Sequence, residues 1–305
     1  MEQHTTQSTP TPHKKPFSKP KRFGNRRSFD RNRRPAHPGL FTDIMAAPTE
    51  RKTAHIPDVA PGVIRVIPLG GVEEIGKNMT AIEIGEDIIV IDAGMHFSNE
   101  ATPGIDYVIP NTRYLEERKG KIRALIITHG HLDHIGGVPI VLSRIGNPPV
   151  YSRNLTVLMC QKRQAEFPHL PPMNAIVVEK DQSVTLGNMK VRFWGVTHTI
   201  PDSMGIIIET PYGNIVTPGD FKLDQIDGVV SEREEEEYKQ FDTANNLLLM
   251  TDSTNIENEG FSLAEIKVHQ GIESILRREK NNRIFIAAFA SHITRLIKIV
   301  QIAED

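Results

Sequence analysis

The chain has 305 residues, enough for one large domain or two smaller ones, and its 38% hydrophobic and 24% charged residues are ordinary for a soluble globular protein. No apolar run approaches the roughly 20 residues that span a bilayer, and the N-terminus lacks the apolar core of a signal peptide, so we expect no membrane association. A single cysteine, Cys160, excludes an internal disulfide and fits a reducing compartment, which predicts a cytoplasmic protein.

The first 40 residues are strongly basic, whereas the rest of the chain is acidic. Ten Lys or Arg against Glu2 and Asp30 give these residues a balance of +8, so the remainder carries −10 to reach the net charge of −2. Residues 1–55 lack apolar periodicity, which predicts a disordered basic tail. Basic residues interleaved with phenylalanine suit salt-sensitive contact with single-stranded nucleic acid, and the candidates are Lys21, Arg22, Arg26 and Arg27. A tail that only aids solubility, or that binds acidic proteins or membranes, is the alternative.

Apolar runs predict a layered α/β fold from residue 63 onward. We expect strands at 63–67, 80–84, 87–91, 124–127, 175–178, 190–196, 204–209 and 214–216, and helices at 114–118, 138–145 and 155–167. Many strands in meander-like order, with helices between them, indicate sheets covered by helices.

The acidic run 231–240 predicts a solvated helix or linker at a domain boundary. Beyond it we expect strands at 247–250 and 284–288 and helices at 263–278 and 293–303. This alternation is typical of a βαβ unit with parallel strands. Because the last helix reaches the end of the chain with few strands to pack on, we expect a second domain that is truncated.

Three histidines and an aspartate lie directly after the predicted strand 124–127. His129 and His131 are two residues apart, so on extended backbone they point the same way and can bind one ion together. Asp133 and His134 follow after the chain turns and can reach a second ion. A polar loop that happens to hold histidines is the alternative, but a buried strand rarely ends in such a dense set of metal ligands.

Two later strand ends supply further candidates. His198 follows the predicted strand 190–196, and Asp220 follows 214–216. Each residue alone is typical of a surface loop or a turn, but sites in layered folds collect where strands end. Because both residues follow the histidine cluster along the chain, together they are stronger candidates than either is alone.

The series Asp92, His129-x-His131-x-Asp133-His134, His198, Asp220 resembles the motifs of the metallo-β-lactamase superfamily. Flanking stretches resemble the ribonuclease J family of its β-CASP branch, and they lie at 69–79 (Leu-Gly-Gly-Val-Glu-Glu-Ile-Gly-Lys-Asn-Met), 104–110, 198–203, 217–222 and 251–255. The resemblance implies an incomplete metallo-β-lactamase αββα sandwich at 56–235, followed by the start of a β-CASP α/β domain at 236–305.

The same resemblance implies a site for two divalent ions. The first ion would be held by His129, His131 and His198, the second by Asp133 and His134, and Asp220 would bridge them. Asp133, Asp220 and His198 would also be catalytic, and Asp92 would orient the ligands from beside the site. Zn²⁺ suits this set, with Mn²⁺ as the alternative. The family's second ion usually gains one more histidine, and neither His269 nor His292, both in predicted helices, is assigned to it.

The implied activity is hydrolysis of RNA phosphodiester bonds, by 5′–3′ exonuclease action, endonuclease action or both, in RNA maturation (including rRNA processing) and decay. A hydroxide generated by the two ions would attack the phosphorus. A small-molecule hydrolase of the same superfamily and a non-catalytic RNA-binding fragment are the alternatives. RNA is the expected partner, and a second copy of the chain and other RNA-decay proteins are further candidates.

Three more residues are RNA-binding candidates through the resemblance. Asp252 matches the first acidic motif of the β-CASP domain, and Ser291 and Arg295 lie in a stretch suited to phosphate contact. In that stretch His292 and Thr294 replace the family's usual Asn and His. A helix N-terminus capped by Ser291 is the alternative.

Overall fold

A computed structural model describes residues 56–98, 103–242 and 244–304. The predicted tail at 1–55, with its candidates Lys21, Arg22, Arg26 and Arg27, lies outside the described residues, so its role stays a prediction. Among the described residues, no helix is both long enough and apolar enough to cross a membrane.

The first sheet has six strands, and its central strands are buried. They are β1 (Ile64–Gly70), β2 (Met79–Ile84), β3 (Asp87–Ile91), β6 (Ile122–Ile126), β7 (Val150–Ser152) and β8 (Ala175–Val177), in the order β1-β2-β3-β6-β7-β8. The β1-β2-β3 pairs are antiparallel, whereas β3, β6, β7 and β8 run parallel. The short strands β4 (His96–Phe97) and β5 (Tyr107–Val108) form a separate pair.

The second sheet has five strands, in the order β15-β12-β11-β10-β9. They are β9 (Ser183–Leu186), β10 (Met189–Gly195), β11 (Met204–Thr210), β12 (Gly213–Thr217) and β15 (Asn246–Leu249). Neighbouring strands are antiparallel except β12 and β15, which are parallel. A small pair, β13 (Gln225–Ile226) and β14 (Val229–Val230), follows β12.

Seven α-helices accompany the two sheets within the described residues. They are α1 (Arg113–Glu116), α2 (Leu132–Ile135), α3 (Val138–Ile145), α4 (Asn154–Ala165), α5 (Glu232–Lys239), α6 (Glu265–Arg278) and α7 (Ile293–Glu304). Residues of α1, α3 and α4 share one apolar cluster with the first sheet. Phe241, just after α5, packs against Trp194 on the outer face of the second sheet.

The alternation of side chains along each strand creates the layers. Ile88 and Val90 of β3 face the helices, whereas Ile89 and Ile91 face the second sheet, and all four are at most 5% exposed. The central strand β3 is thus buried on both faces, and burying each such side chain contributes roughly 1.5–3 kcal/mol. The result is the predicted αββα sandwich.

The region after residue 240 differs from its prediction. The segment 284–288, predicted as a strand, forms none, and its residues are exposed. An apolar run needs a neighbouring strand to accept its backbone hydrogen bonds, and within the described residues this one has none. The predicted βαβ unit is therefore absent there, and β15 instead joins the second sheet beside β12. The predicted division at residue 236 and the β-CASP assignment stay predictions.

Several strands end at the same edge of the sandwich. β3 and β6 are parallel neighbours, with Ile91 opposite Ile126. In the other sheet, β10 and β12 both run antiparallel to β11 and hence point the same way, and β15 is parallel to β12. The residues that follow these strands, Asp92, Thr128 to His134, His198, Asp220 and Asp252, are thereby gathered in one place.

Candidate metal centre

The histidine cluster is held by backbone hydrogen bonds from the loop after β3 and from the residue before β2. Ala93 N donates to His134 O at 2.9 Å, and Asn78 N donates to Asp133 O at 2.9 Å. The loops approach so closely that a Cβ on Gly94 would lie 1.6 Å from Asp133 O. Glycine is therefore required at position 94 for the cluster to adopt this conformation.

Three imidazoles form the first group of metal-ligating atoms. His129 Nε2 lies 3.0 Å from His131 Nδ1, and His198 Nε2 lies 3.2 Å from the same His131 atom. The His129 side chain is 1% exposed, whereas His131 and His198 are half-buried. Their ligand atoms all lie within 4.8 Å of one another, close enough to bind one ion.

A second group shares His129 with the first. It contains His129, His134 and Asp220, with His134 Nε2 3.3 Å from one Asp220 oxygen and His129 Nε2 4.0 Å from the other. Asp220 thus lies between two histidines, with one carboxylate oxygen nearer to each ring. Asp133 Oδ2 borders this group at 3.5 Å from His134 Nε2. The structure brings all six predicted ligands together, and their binding of metal stays a prediction.

Asp92 orients His134 from behind. Its Oδ2 lies 2.8 Å from His134 Nδ1, and its carboxylate also accepts hydrogen bonds from the backbone N–H and the hydroxyl of Thr128. A ring whose Nδ1–H donates to a carboxylate presents Nε2 as the metal-binding atom, an arrangement common around protein-bound metals. Asp92 adopts φ of +61°, a conformation that aspartate tolerates better than most residues.

Burial and neighbouring charges set the protonation of the cluster. Burial lowers the pKa of His198 to about 4, lowers that of His131, and together with the adjacent imidazoles holds the pKa of His129 well below its usual value. These three rings are therefore neutral at pH 7, the form that binds a metal. Burial opposes a charge on His134, but the Asp92 and Asp220 carboxylates outweigh it and raise its pKa well above its usual value. Burial likewise opposes a charge on Asp220, yet His134 lowers the pKa of that carboxyl.

Asn78 and Thr128 are site residues that no role was predicted for. The amide nitrogen of Asn78 lies 3.0 Å from His134 Nε2 and 3.3 Å from Asp133 Oδ2. The Thr128 hydroxyl connects Asp92 to His129 Nδ1, which lies 3.1 Å away. Asn78 is 55 residues from Asp133, so local spacing gives no signal of the contact. For Thr128, the only signal in the sequence that it belongs to the site is its place directly before the histidine cluster.

A cavity of about 760 Å³ opens beside the second group. Asp133, His134 and Asp220 line it, together with the loop 70–76 and residues 250–254. Val72 and Ile75 are 60% and 71% exposed in that loop, so the mouth of the cavity combines apolar side chains with carboxylates.

The predicted RNA-binding residues are placed differently from one another. Asp252 lines the cavity, where its carboxylate accepts hydrogen bonds from Thr254 N and Oγ1. Arg295 is paired with both oxygens of Glu265, at 2.9 and 3.0 Å, so its guanidinium already has an anionic partner. Ser291 lies two residues before α7, which begins at Ile293, and so is not the residue directly before the helix. RNA contact by these residues stays a prediction.

The donor atoms fit divalent metal ions. One group offers three imidazole nitrogens, and the other offers two imidazoles and a carboxylate. Imidazole with carboxylate suits Zn²⁺ and related transition metals, and four of the six side chains are histidines. Three neutral imidazoles, beside a fourth that the Asp92 carboxylate orients, are thus suited to a divalent metal.

Comparisons with known proteins agree with this geometry. Ribonuclease J from Thermus thermophilus is 38% identical over 249 residues, which make up 79% of this chain and 43% of that protein. Ribonuclease J from Mycoplasma pneumoniae is 36% identical over 241 residues, 79% of this chain and 42% of that protein. Ribonuclease J2 from Bacillus subtilis is 38% identical over 243 residues, with coverage of 79% and 43%. The chain spans less than half the length of these relatives, and the predicted resemblance to the N-terminal part of ribonuclease J is confirmed.

One solved structure shows the same fold. A protein of unknown function from Enterococcus faecalis V583 superposes with a TM-score of 0.58 at 19% identity, covering 77% of this chain and 62% of that one. The sequence profile described as the metallo-beta-lactamase superfamily matches residues 73–255. With the αββα fold and the histidine cluster at the shared strand edge, the chain belongs to the metallo-beta-lactamase superfamily.

Proposed function

We propose that the protein is a metal-dependent ribonuclease that hydrolyses RNA phosphodiester bonds at the edge where His129 and Asp220 meet. The observation that carries this proposal is the pair of ligand groups sharing His129, beside an open cavity, in a chain whose relatives are ribonucleases J. Two ions would supply an activated water and stabilise negative charge on phosphate oxygens.

The six predicted ligands would be shared between the two ions. His129, His131 and His198 hold the first ion, and His134 and Asp133 hold the second, with Asp220 between them. Asp92 keeps a proton on His134 Nδ1 and so keeps Nε2 directed at the site. Zn²⁺ is the ion that best fits so many imidazoles, and Mn²⁺ is the alternative.

The ribonuclease J relatives and the basic N-terminal residues favour a polymeric substrate over a small one. The cavity, which extends from the ligand groups past the loop 70–76 to residues 250–254, would take the nucleotide to be cleaved. The basic residues of positions 1–40 would add salt-sensitive attraction to phosphates. These features support RNA as the substrate over the small molecules that other members of the superfamily hydrolyse. We place this activity in RNA maturation and decay in the cytoplasm, by exonuclease action, endonuclease action or both.

Cleavage of a labelled, 5′-monophosphorylated RNA by the purified chain, with Zn²⁺ or Mn²⁺ added, tests the proposal. We expect metal-dependent shortening or cutting that is abolished by His131→Ala. His169→Ala is the matched control, because His169 is exposed and is not in either ligand group.

Cleavage that survives His131→Ala would refute the assignment of the site. Hydrolysis of a β-lactam or a thioester with no cleavage of RNA would instead favour the alternative, a small-molecule hydrolase. RNA binding without cleavage by the wild-type chain would favour a non-catalytic RNA-binding role.

A further inference from the structure

One glutamate in the acidic helix α5 is buried. Glu234 is 3% exposed, whereas its neighbours Glu232, Glu235 and Glu236 are exposed. A charged side chain is seldom buried without a specific partner, because removing it from water is costly. The helix was expected to be solvated throughout, and Glu234 departs from that expectation.

The partner of Glu234 lies outside its own helix. Ser231 caps α5 by accepting from Glu234 N, and a glutamate three residues after such a cap commonly reaches back to the backbone N–H of the capping residue. Here Ser231 N donates instead to Asp224 O at 2.9 Å. The Glu234 carboxylate accepts a hydrogen bond from the hydroxyl of Thr197.

Thr197 connects the two loops that carry His198 and Asp220. It directly precedes His198, and its carbonyl accepts a hydrogen bond from Lys222 N at 2.8 Å. Lys222 is two residues after Asp220. A residue that fixes Thr197 therefore acts on one predicted ligand of each loop.

The helix that carries Glu234 is anchored to the second sheet. Lys180 pairs with Glu237, and Arg192 donates to Gln240 at 3.4 Å. Phe241 packs edge-on against Trp194, with ring centroids 5.1 Å apart. The Glu234 carboxylate is consequently held in place relative to the strand β10 that ends next to Thr197.

We propose that Glu234 is a positioning residue for the metal centre, which holds the His198 and Asp220 loops in register through Thr197. This inference rests on the proposed metal site. A hydroxyl bound to a carboxylate has a fixed direction, so it restricts the backbone at Thr197 and thereby the His198 ring. Removing a partner that hydrogen-bonds a ligand directly commonly changes metal affinity by about 10–100-fold, and Glu234 acts one residue further away, so we expect the lower end of that range.

Four single variants, and the double variant that combines Thr197→Val with Glu234→Ala, separate positioning from plain structural support. Thr197→Val removes the hydroxyl at nearly constant shape, and Glu234→Ala removes the carboxylate. Glu234→Gln keeps an oxygen that accepts from Thr197. Glu235→Ala removes a neighbouring, exposed glutamate of the same helix and is the matched control.

The measurements are Co²⁺ affinity by competition with a chelator, the visible absorption spectrum of the Co²⁺-bound protein, and the melting temperature of the metal-free protein. We expect Thr197→Val and Glu234→Ala each to weaken Co²⁺ binding by about 10-fold and to change the spectrum. The double variant should be no weaker than the weaker single one, since both remove the same hydrogen bond. Glu234→Gln should restore most of the affinity, and Glu235→Ala should match the wild type.

The outcomes distinguish this inference from the proposed function. If Thr197→Val and Glu234→Ala bind Co²⁺ with wild-type affinity and spectrum, the positioning role is wrong, even if their melting temperatures fall. If Glu234→Ala does not fold, Thr197→Val decides alone. If the wild-type protein itself does not bind Co²⁺, the metal site proposed above fails.

Discussion

Replacing Asp92 with alanine should destabilise the metal-free protein far more than an ordinary surface change. Asp92 is 5% exposed, and its carboxylate pairs with Thr128 N, Thr128 Oγ1 and His134 Nδ1 at 2.8–2.9 Å. Each buried donor left without a partner costs about 1–3 kcal/mol, and alanine at φ of +61° adds roughly 1 kcal/mol. Even at the lower end of these costs, we expect Asp92→Ala to lower the free energy of unfolding by at least about 4 kcal/mol, measured by urea denaturation.

Asp92→Asn and a control variant separate the contributions. Asparagine tolerates the left-handed conformation and keeps an oxygen for Thr128 N, so its cost should be only about 1–2 kcal/mol. It cannot support His134 as a carboxylate does, so Zn²⁺ affinity in a chelator competition should fall about 10–100-fold. The control variant is Asp181→Ala. Asp181 is exposed and has φ of +65°, so this variant measures the backbone cost of alanine alone. The reasoning is refuted if Asp92→Ala is as stable as Asp181→Ala, or if Asp92→Asn binds Zn²⁺ as tightly as the wild type.

Two further predictions concern charges outside the ligand groups. Hydrogen bonds from Arg295 and Lys222 lower the pKa of Glu265 to about 2, so the stability it contributes is present above its unfolded pKa and is lost as the pH falls from about 4.5 to about 2. In urea unfolding at pH 7, the free energy of unfolding of the wild type should exceed that of Glu265→Gln by about 1 kcal/mol, after allowance for solvent screening. Near pH 2 the two should be nearly equal. An equal difference at both pH values would contradict this. Deleting residues 1–40 should weaken RNA binding strongly at low salt and little at high salt, because ten basic residues are lost. Equal binding with and without the tail would reduce it to a solubility aid.

The sequence predicts the scaffold of the site well, because the buried strands carry strong apolar runs. The residues 87–91 and 124–127 were expected as strands, and β3 and β6 form there as parallel neighbours. The approach of His198 and Asp220 to the histidine cluster followed from resemblance rather than from spacing, since 64 residues separate His134 from His198. Local pattern carries no information about contacts at that distance.

The features that the local sequence pattern does not predict depend on contacts between residues far apart in the chain. The sequence predicts that all the glutamates of α5 are solvated, yet Glu234 is buried and accepts a hydrogen bond from Thr197. The segment 284–288 has the composition of a strand, but without a neighbour to bond to it stays irregular. The role of Asn78 likewise depends on a fold contact with Asp133, which a single sequence does not reveal.

Counting the metal ions bound per chain tests the central claim most directly. Metal-stripped protein titrated with Zn²⁺ and observed by native mass spectrometry should take up two ions, one for each ligand group. His198→Ala and His129→Ala should each remove one of them, because both residues hold the first ion in the proposed assignment. Wild-type protein that binds no Zn²⁺, or a His129→Ala variant that binds as many ions as tightly as the wild type, would contradict the account.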